Sequence, residues 1–201
     1  MRIIFATGNA HKLVEIREIL DELSFQADLM TMKEAGIDTE IIEDGLSFEE
    51  NAQIKARTVA AALPAEYADA VVLADDAGLE VDALNKEPGI YSSRYMGEDT
   101  PYSEKNAEIL RRLNDIPKEK RTARFVCAVA AVFPDGTEET VRETIEGKIG
   151  YEPRGKNGFG YDPIFYLPDL SCSTAEISPE EKNRISHRGK AFRAIAGILK
   201  R

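Results

Sequence analysis

Two adjacent acids, Asp75 and Asp76, close the apolar run "AVVLA". Neighbouring strand residues point to opposite faces, so one of the pair is expected to face a given site directly. Carboxylates leaving a buried strand are costly without partners. A hard cation such as Mg2+ compensates them, taking carboxylate oxygen and keeping waters. Glu43, in the loop ahead of a predicted helix, supplies a further carboxylate. The structural alternative is that one acid caps a turn ending at Gly78.

A second group of residues suits phosphate. In "TGNAHK", Thr7 to Lys12, a Gly-Asn turn enters a predicted helix, exposing backbone N–H groups with Lys12 beside them. A lysine in a first helical turn opposes the macrodipole, which is slightly costly unless an anion sits there. An ordinary Asn9 N-cap after a Gly turn explains the same letters, and both readings stay open. "RGKNGFGYDP", Arg154 to Pro163, joins glycines, cations and aromatics; Phe159 or Tyr161 suits a planar base, while a tight turn with Tyr161 in the core is the alternative. "GYEPRGK", Gly150 to Lys156, has phosphate-loop spacing. Asn157 follows it in place of Ser or Thr, with no helix after it, so it is rejected. "SHR", Ser186 to Arg188, opens the last predicted helix with a hydroxyl, an imidazole and a guanidinium, six residues beyond Lys182.

The elements that must position these groups are legible in outline. "RIIFAT" reads as a buried strand, and "AHKLVEIREILDEL" as a helix with Ile16, Ile19, Leu20 and Leu23 on one face. "SFEENAQIKARTVAAAL" is a helix opened by a reciprocal Ser47/Glu50 capping box. "AVVLADDAGLEV" is a buried strand ending in acids, and "DTPYSEKNAEILRRL" a helix stopped before Pro117. "TARFVCAVAAVF" and "EETVRETIEGKI" flank a Pro134 to Gly136 turn as a long hairpin, which favours a mixed sheet. Ser178 and Glu181 form another capping box, with Pro179 at the first helical position, and "SHRGKAFRAIAGILK" is the final helix.

Composition narrows the function classes. The chain has 201 residues, enough for one large domain or two small lobes around a cleft. With 26 basic against 36 acidic residues the net charge is -10, which opposes binding of long nucleic acid through a broad basic face. A small polyanion remains compatible, because local cations, helix N-termini and a metal outweigh distant charge. Cys127 and Cys172 have no CxxC partner, so no disulfide framework or zinc site is expected. The lack of a leader pattern and of any run of about 18 apolar residues gives the expectation of a soluble, cytoplasmic protein with no membrane partner.

Taken in order, "FATGNAHKLVEI", "GLSFEENAQIKAR", "LADDAGLEVDAL", "EPGIYSSRY", "NGFGYDPIF" and "EEKNRISHRGKA" resemble the inosine triphosphate pyrophosphatase family over essentially the whole chain. No single piece is specific, whereas their joint order is. The resemblance implies an α/β fold with an elongated mixed sheet flanked by helices, a single domain with two lobes around a central cleft, and a homodimer. It implies Mg2+-dependent hydrolysis of ITP, dITP or XTP to the monophosphate and pyrophosphate. By matching position, Thr7, Gly8, Asn9 and Lys12 correspond to the triphosphate-binding start. Glu43 and Asp76 correspond to magnesium positions, with Asp76 also the general base. Phe159, Gly160, Tyr161 and Asp162 correspond to the nucleoside segment, Lys182 to a phosphate contact, and His187 with Arg188 to the pair reading the purine. Ala77 stands where the family commonly has Ser or Thr, so a hydroxyl contact is missing and the backbone N–H is left. One neutral hydrogen bond is worth about 1 kcal/mol, so this touches affinity more than reaction type. Two other readings are a pyrophosphatase of different base choice and a nucleotide-binding sensor without chemistry.

Overall fold

A computed structural model describes residues 1–200. The strands are β1 (Arg2–Phe5), β2 (Asp28–Thr31), β3 (Val71–Val81), β4 (Thr122–Val132), β5 (Glu138–Ile149), β6 (Phe165–Leu167) and β7 (Cys172–Ser173). The α-helices are α1 (Ala10–Glu22), α2 (Phe48–Ala61), α3 (Tyr102–Arg112), α4 (Pro179–Ile185) and α5 (His187–Leu199). Among the described residues the strands form one sheet in the order β2-β1-β3-β4-β5-β6-β7. It is mixed, as expected: β1 pairs in parallel with β2 and β3, whereas β5, β6 and β7 pair antiparallel.

The chain divides into two compact units. The first holds Met1–Asp76, Cys127–Glu143 and the chain from Arg188 onward; the second holds Ala77–Val126 and Thr144–His187. In the first, Ile16, Ile19 and Leu20 of α1 are buried at the expected helical spacing, and Phe5 meets Phe192 of α5 edge to face at 5.8 Å. In the second, a core runs through Leu79, Val81, Ile109, Phe125, Ile145, Ile164 and Phe165. Phe133 N–H donates to Thr137 O at 2.9 Å, closing the turn between β4 and β5.

Local sequence signals account for most element starts. Asn9 Oδ1 accepts from His11 N and Lys12 N, so it caps α1. Ser178 Oγ accepts from Glu181 N at 3.2 Å, with Pro179 at the first position of α4. Ser47 Oγ accepts from Glu50 N at 3.1 Å, but the return bond of this box is displaced: Glu50 Oε2 accepts from Leu46 N at 2.7 Å instead of Ser47 N. The strand expected over "AVVLADDAGLEV" is present from Val71 to Val81, with the paired acids in its middle. β3 continues through Asp75 and Asp76 to Val81, because Leu79 and Val81 beyond them are fully buried and hold the extended chain in the second unit's core.

Candidate functional site

The first unit gathers its charged groups around Asp75 and Asp76. Strand alternation gives the two carboxylates separate hydrogen-bond partners. Asp76 Oδ2 accepts from Asn51 Nδ2 at 3.1 Å, and its Oδ1 lies 3.4 Å from Lys55 Nζ. The same ammonium donates to Glu43 Oε2 at 2.9 Å, so one lysine draws the loop acid and the strand acid together. Asn51 Oδ1 in turn accepts from Gly45 N at 2.9 Å and ties down the loop carrying Glu43. Gly45 permits this approach: a Cβ there would stand 2.7 Å from Asn51 Oδ1.

Asp75 faces another set. Lys12 Nζ lies 3.1 Å from its Oδ1 and 3.0 Å from its Oδ2, and Arg188 Nε is 3.5 Å from Oδ2. Arg188, in the first turn of α5 and 3% exposed, also pairs with Glu15 of α1. The anion that offsets Lys12 in the first turn of α1 is thus Asp75, within the protein. Cys127 Sγ lies 4.0 Å from Asp75 Oδ2, and burial followed by the Asp75 charge pushes its thiol up to about 12, so it stays protonated.

The environments drive the neighbouring carboxyls apart. Burial raises Asp76, with Glu43 adding to it against the opposing pull of Lys55 and Lys12. Burial acts on Asp75 in the same sense, yet Lys12, Arg188 and Lys55 outweigh it and hold Asp75 below the ordinary carboxylate range. Lys55 is itself raised: burial lowers it, but Asp76, Asp75 and Glu43 more than offset that. Adjacent carboxyls separated in this way suit different tasks, one permanently charged and one able to exchange a proton.

The second unit holds a turn built on Asp162. Its carboxylate, 2% exposed, accepts from Lys182 Nζ at 2.6 Å, Thr174 Oγ1 at 2.8 Å and Phe159 N at 2.8 Å. Lys182 Nζ also lies 5.0 Å from the Phe159 ring centroid, a cation–π contact. Gly158 has φ +72°, and a Cβ there would come 2.2 Å from Asp162 Oδ2, so only glycine fits the turn. Gly160, φ +68°, accepts from Asn106 Nδ2 through its carbonyl at 3.1 Å. Tyr161 is a core residue, its hydroxyl donating to Ser92 O at 2.7 Å, which agrees with the core alternative. His187 is buried and stacks on Phe125, with centroids 4.9 Å apart. The rejected phosphate-loop look-alike is a packed turn: a Cβ on Gly155 would stand 2.2 Å from Ala175 O.

The expected residues therefore fall into two sets. Lys12, Glu43, Asp76 and Arg188 belong to the first unit's charged network, and Phe159, Asp162 and Lys182 to the second unit's turn. Gly8 is exposed and Thr7 half-buried, with Thr7 Oγ1 accepting from Asn9 N at 3.1 Å; Ala77 is half-buried in β3. Sequence reasoning missed Asn51, Lys55 and Glu15. The first two carried a signal: they interrupt the buried stripe Phe48, Asn51, Ala52, Lys55, Ala56, Val59 of α2, and polar residues in an apolar stripe need buried partners.

Among the described residues no group of three or more His, Cys, Asp or Glu could hold a metal ion. Glu43 and Asp76, already drawn to one cationic group, supply two hard oxygen donors. That number fits Mg2+, which is commonly held by one or two carboxylates, waters and a substrate's phosphates rather than by an all-protein cage. Among the described residues no helix is long and apolar enough to cross a membrane.

The sequence model of the Ham1 family matches residues 3–198. A dITP/XTP pyrophosphatase of Exiguobacterium sibiricum is 45% identical over 199 residues, covering 99% of this chain and 97% of that protein. The dITP/XTP pyrophosphatase of Bacillus subtilis is 43% identical over 196 residues, covering 98% and 96%. The solved Ham1 protein of Staphylococcus aureus superposes with a TM-score of 0.86 at 37% identity, covering 100% of this chain and 98% of that one. The HAM1 protein of Coxiella burnetii gives 0.86 at 38% identity with the same coverage.

Proposed function

We propose that this chain, which belongs to the Ham1 family, hydrolyses non-standard purine nucleoside triphosphates such as ITP, dITP and XTP to the monophosphate and pyrophosphate. The observation that carries this reading is the junction of Glu43, Lys55 and Asp76, a half-buried and a buried acid on one cation, with Asp75 and Lys12 beside it. The names of the relatives supply the substrate class. The family resemblance adds a homodimer and a cytoplasmic location to the proposal.

In this reading Glu43 and Asp76 hold Mg2+, which when bound neutralises phosphate charge and favours loss of pyrophosphate. Asp76 orients the attacking water and takes its proton. Asn51 and Lys55 fix the Asp76 carboxylate so that this geometry is set before substrate arrives. Lys12 and Lys182 offset charge on the phosphates, and Thr7, Gly8, Asn9 and the Ala77 backbone belong to the same binding role. Phe159 stacks on the base. Asp162 acts one step back, holding Lys182 and the Phe159 turn in place, while Gly160 and Tyr161 shape that turn.

His187 and Arg188 are assigned to the six-position of the purine. A guanidinium donates from a rigid plane, and Glu15 with Asp75 fixes that plane. A donor satisfies the keto oxygen of hypoxanthine or xanthine but meets the amino group of adenine donor to donor, and such a mismatch can cost up to about 10⁴-fold. Arg188→Ala is expected to narrow the ITP over ATP preference in kcat/KM by at least about tenfold. An unchanged ratio places base reading elsewhere.

A side-by-side assay of pyrophosphate release from ITP, XTP, dUTP and ATP tests the substrate class. ITP and XTP are expected to turn over fastest, and chelation by EDTA is expected to stop the reaction. Preference for dUTP selects the pyrophosphatase of different base choice, one acting on pyrimidines. Tight ITP binding without release selects the sensor.

A further inference from the structure

We propose that Asp75 is a positioning residue that acts through Lys12 as a resident competitor of the phosphates, keeping polyphosphate affinity moderate and so speeding pyrophosphate release. The inference rests on the assignment of Lys12 to the phosphates under Proposed function. Asp75 is 1% exposed, and both its oxygens lie within 3.1 Å of Lys12 Nζ. Any phosphate that binds Lys12 must draw the ammonium from a carboxylate already in contact with it. The carboxylate cannot retreat into solvent, so its charge stays near the bound anion and repels it.

Arg188 makes this exchange feasible. Its Nε is 3.5 Å from Asp75 Oδ2, so the buried carboxylate retains a cation while Lys12 turns to a phosphate. Lys12 is the more exposed of the two partners, its side chain at 15% against 3% for Arg188, so it is the one a phosphate from solvent reaches. Asp75 does not touch the reacting atoms in this account; Asp76 does.

The test is Asp75→Asn, which keeps the shape and removes the charge. Affinity for inorganic pyrophosphate with Mg2+, measured by calorimetry, is expected to rise by about tenfold or more, the scale of one charged interaction. In turnover, kcat and KM for ITP are expected to fall together, with a burst of pyrophosphate formation as release becomes limiting. A merely structural role gives the opposite pattern, a raised KM and weaker pyrophosphate binding, and that result, or unchanged affinity, overturns the proposal. If Asp75→Asn does not fold, nitrogen-15 NMR of the wild type decides. The Lys12 ammonium is expected to be shielded from water exchange without ligand and to shift on saturation with pyrophosphate; a solvent-averaged or unmoved signal overturns the proposal. Because the probe is pyrophosphate itself, these readouts stand apart from the substrate class: failure of wild type to cleave ITP defeats the proposed function and leaves the pyrophosphate result interpretable.

Discussion

Asp76→Asn is expected to lower pyrophosphate release from ITP by about 10³-fold or more, the range for loss of a general base, with loss of a metal-holding oxygen adding to it. The amide retains one acceptor where the carboxylate had two. Asp76 now accepts from both Asn51 and Lys55, so one of these donors must face the new NH2 group. An unmet buried donor costs about 1–3 kcal/mol, and a protein of this size loses roughly 2–4 °C per kcal/mol. The variant is therefore expected to melt cooperatively, below wild type by no more than about 12 °C. Steady-state rates together with a thermal melt separate lost chemistry from lost fold. Near-normal ITP hydrolysis removes Asp76 from the mechanism.

Asp162→Ala is expected to have the largest effect on stability. It strips partners from the Lys182 ammonium, the Thr174 hydroxyl and the Phe159 N–H at once. Lys182 is buried, and breaking one side of a buried ion pair typically costs about 3–5 kcal/mol. The melting temperature is expected to drop by roughly 6–20 °C. KM for ITP is expected to rise as well, because the Phe159 turn loses its anchor. A denaturant melt with its midpoint near that of wild type shows that the turn is held by something other than this carboxylate.

The parts of the fold set by local rules were legible in the sequence. Asn9, Ser47 and Ser178 each place a short polar side chain ahead of an apolar helical stripe, and each caps its helix. The hairpin was legible because Pro-Asp-Gly separates two long β-rich runs. The four-residue strand Asp28–Thr31 and the two-residue strand Cys172–Ser173 were not, because they are too short to show a period and owe their state to pairing with neighbours. The strand through Asp75 and Asp76 was legible from its apolar run, but not how two acids are tolerated inside it. What permits them in mid-strand are Lys12, Lys55 and Arg188, which come from distant segments.

The candidate site was legible in residue types and less so in tasks. Asp162 and Tyr161 lie in the segment matched to nucleoside binding, yet one anchors Lys182 and the other packs in a core. Burial of this kind depends on tertiary neighbours that spacing does not reveal. Lys55 shows the reverse: its place in the apolar stripe of α2 was visible, but its role follows only once Glu43 and Asp76 are seen to meet on its ammonium.

Phosphorus-31 NMR of the wild-type protein with ITP and Mg2+ tests the central claim most directly. The account predicts that the triphosphate signals give way to IMP and inorganic pyrophosphate in equal amounts, with no IDP and no orthophosphate. Formation of IDP with orthophosphate, or persistence of ITP with Mg2+ present, contradicts it.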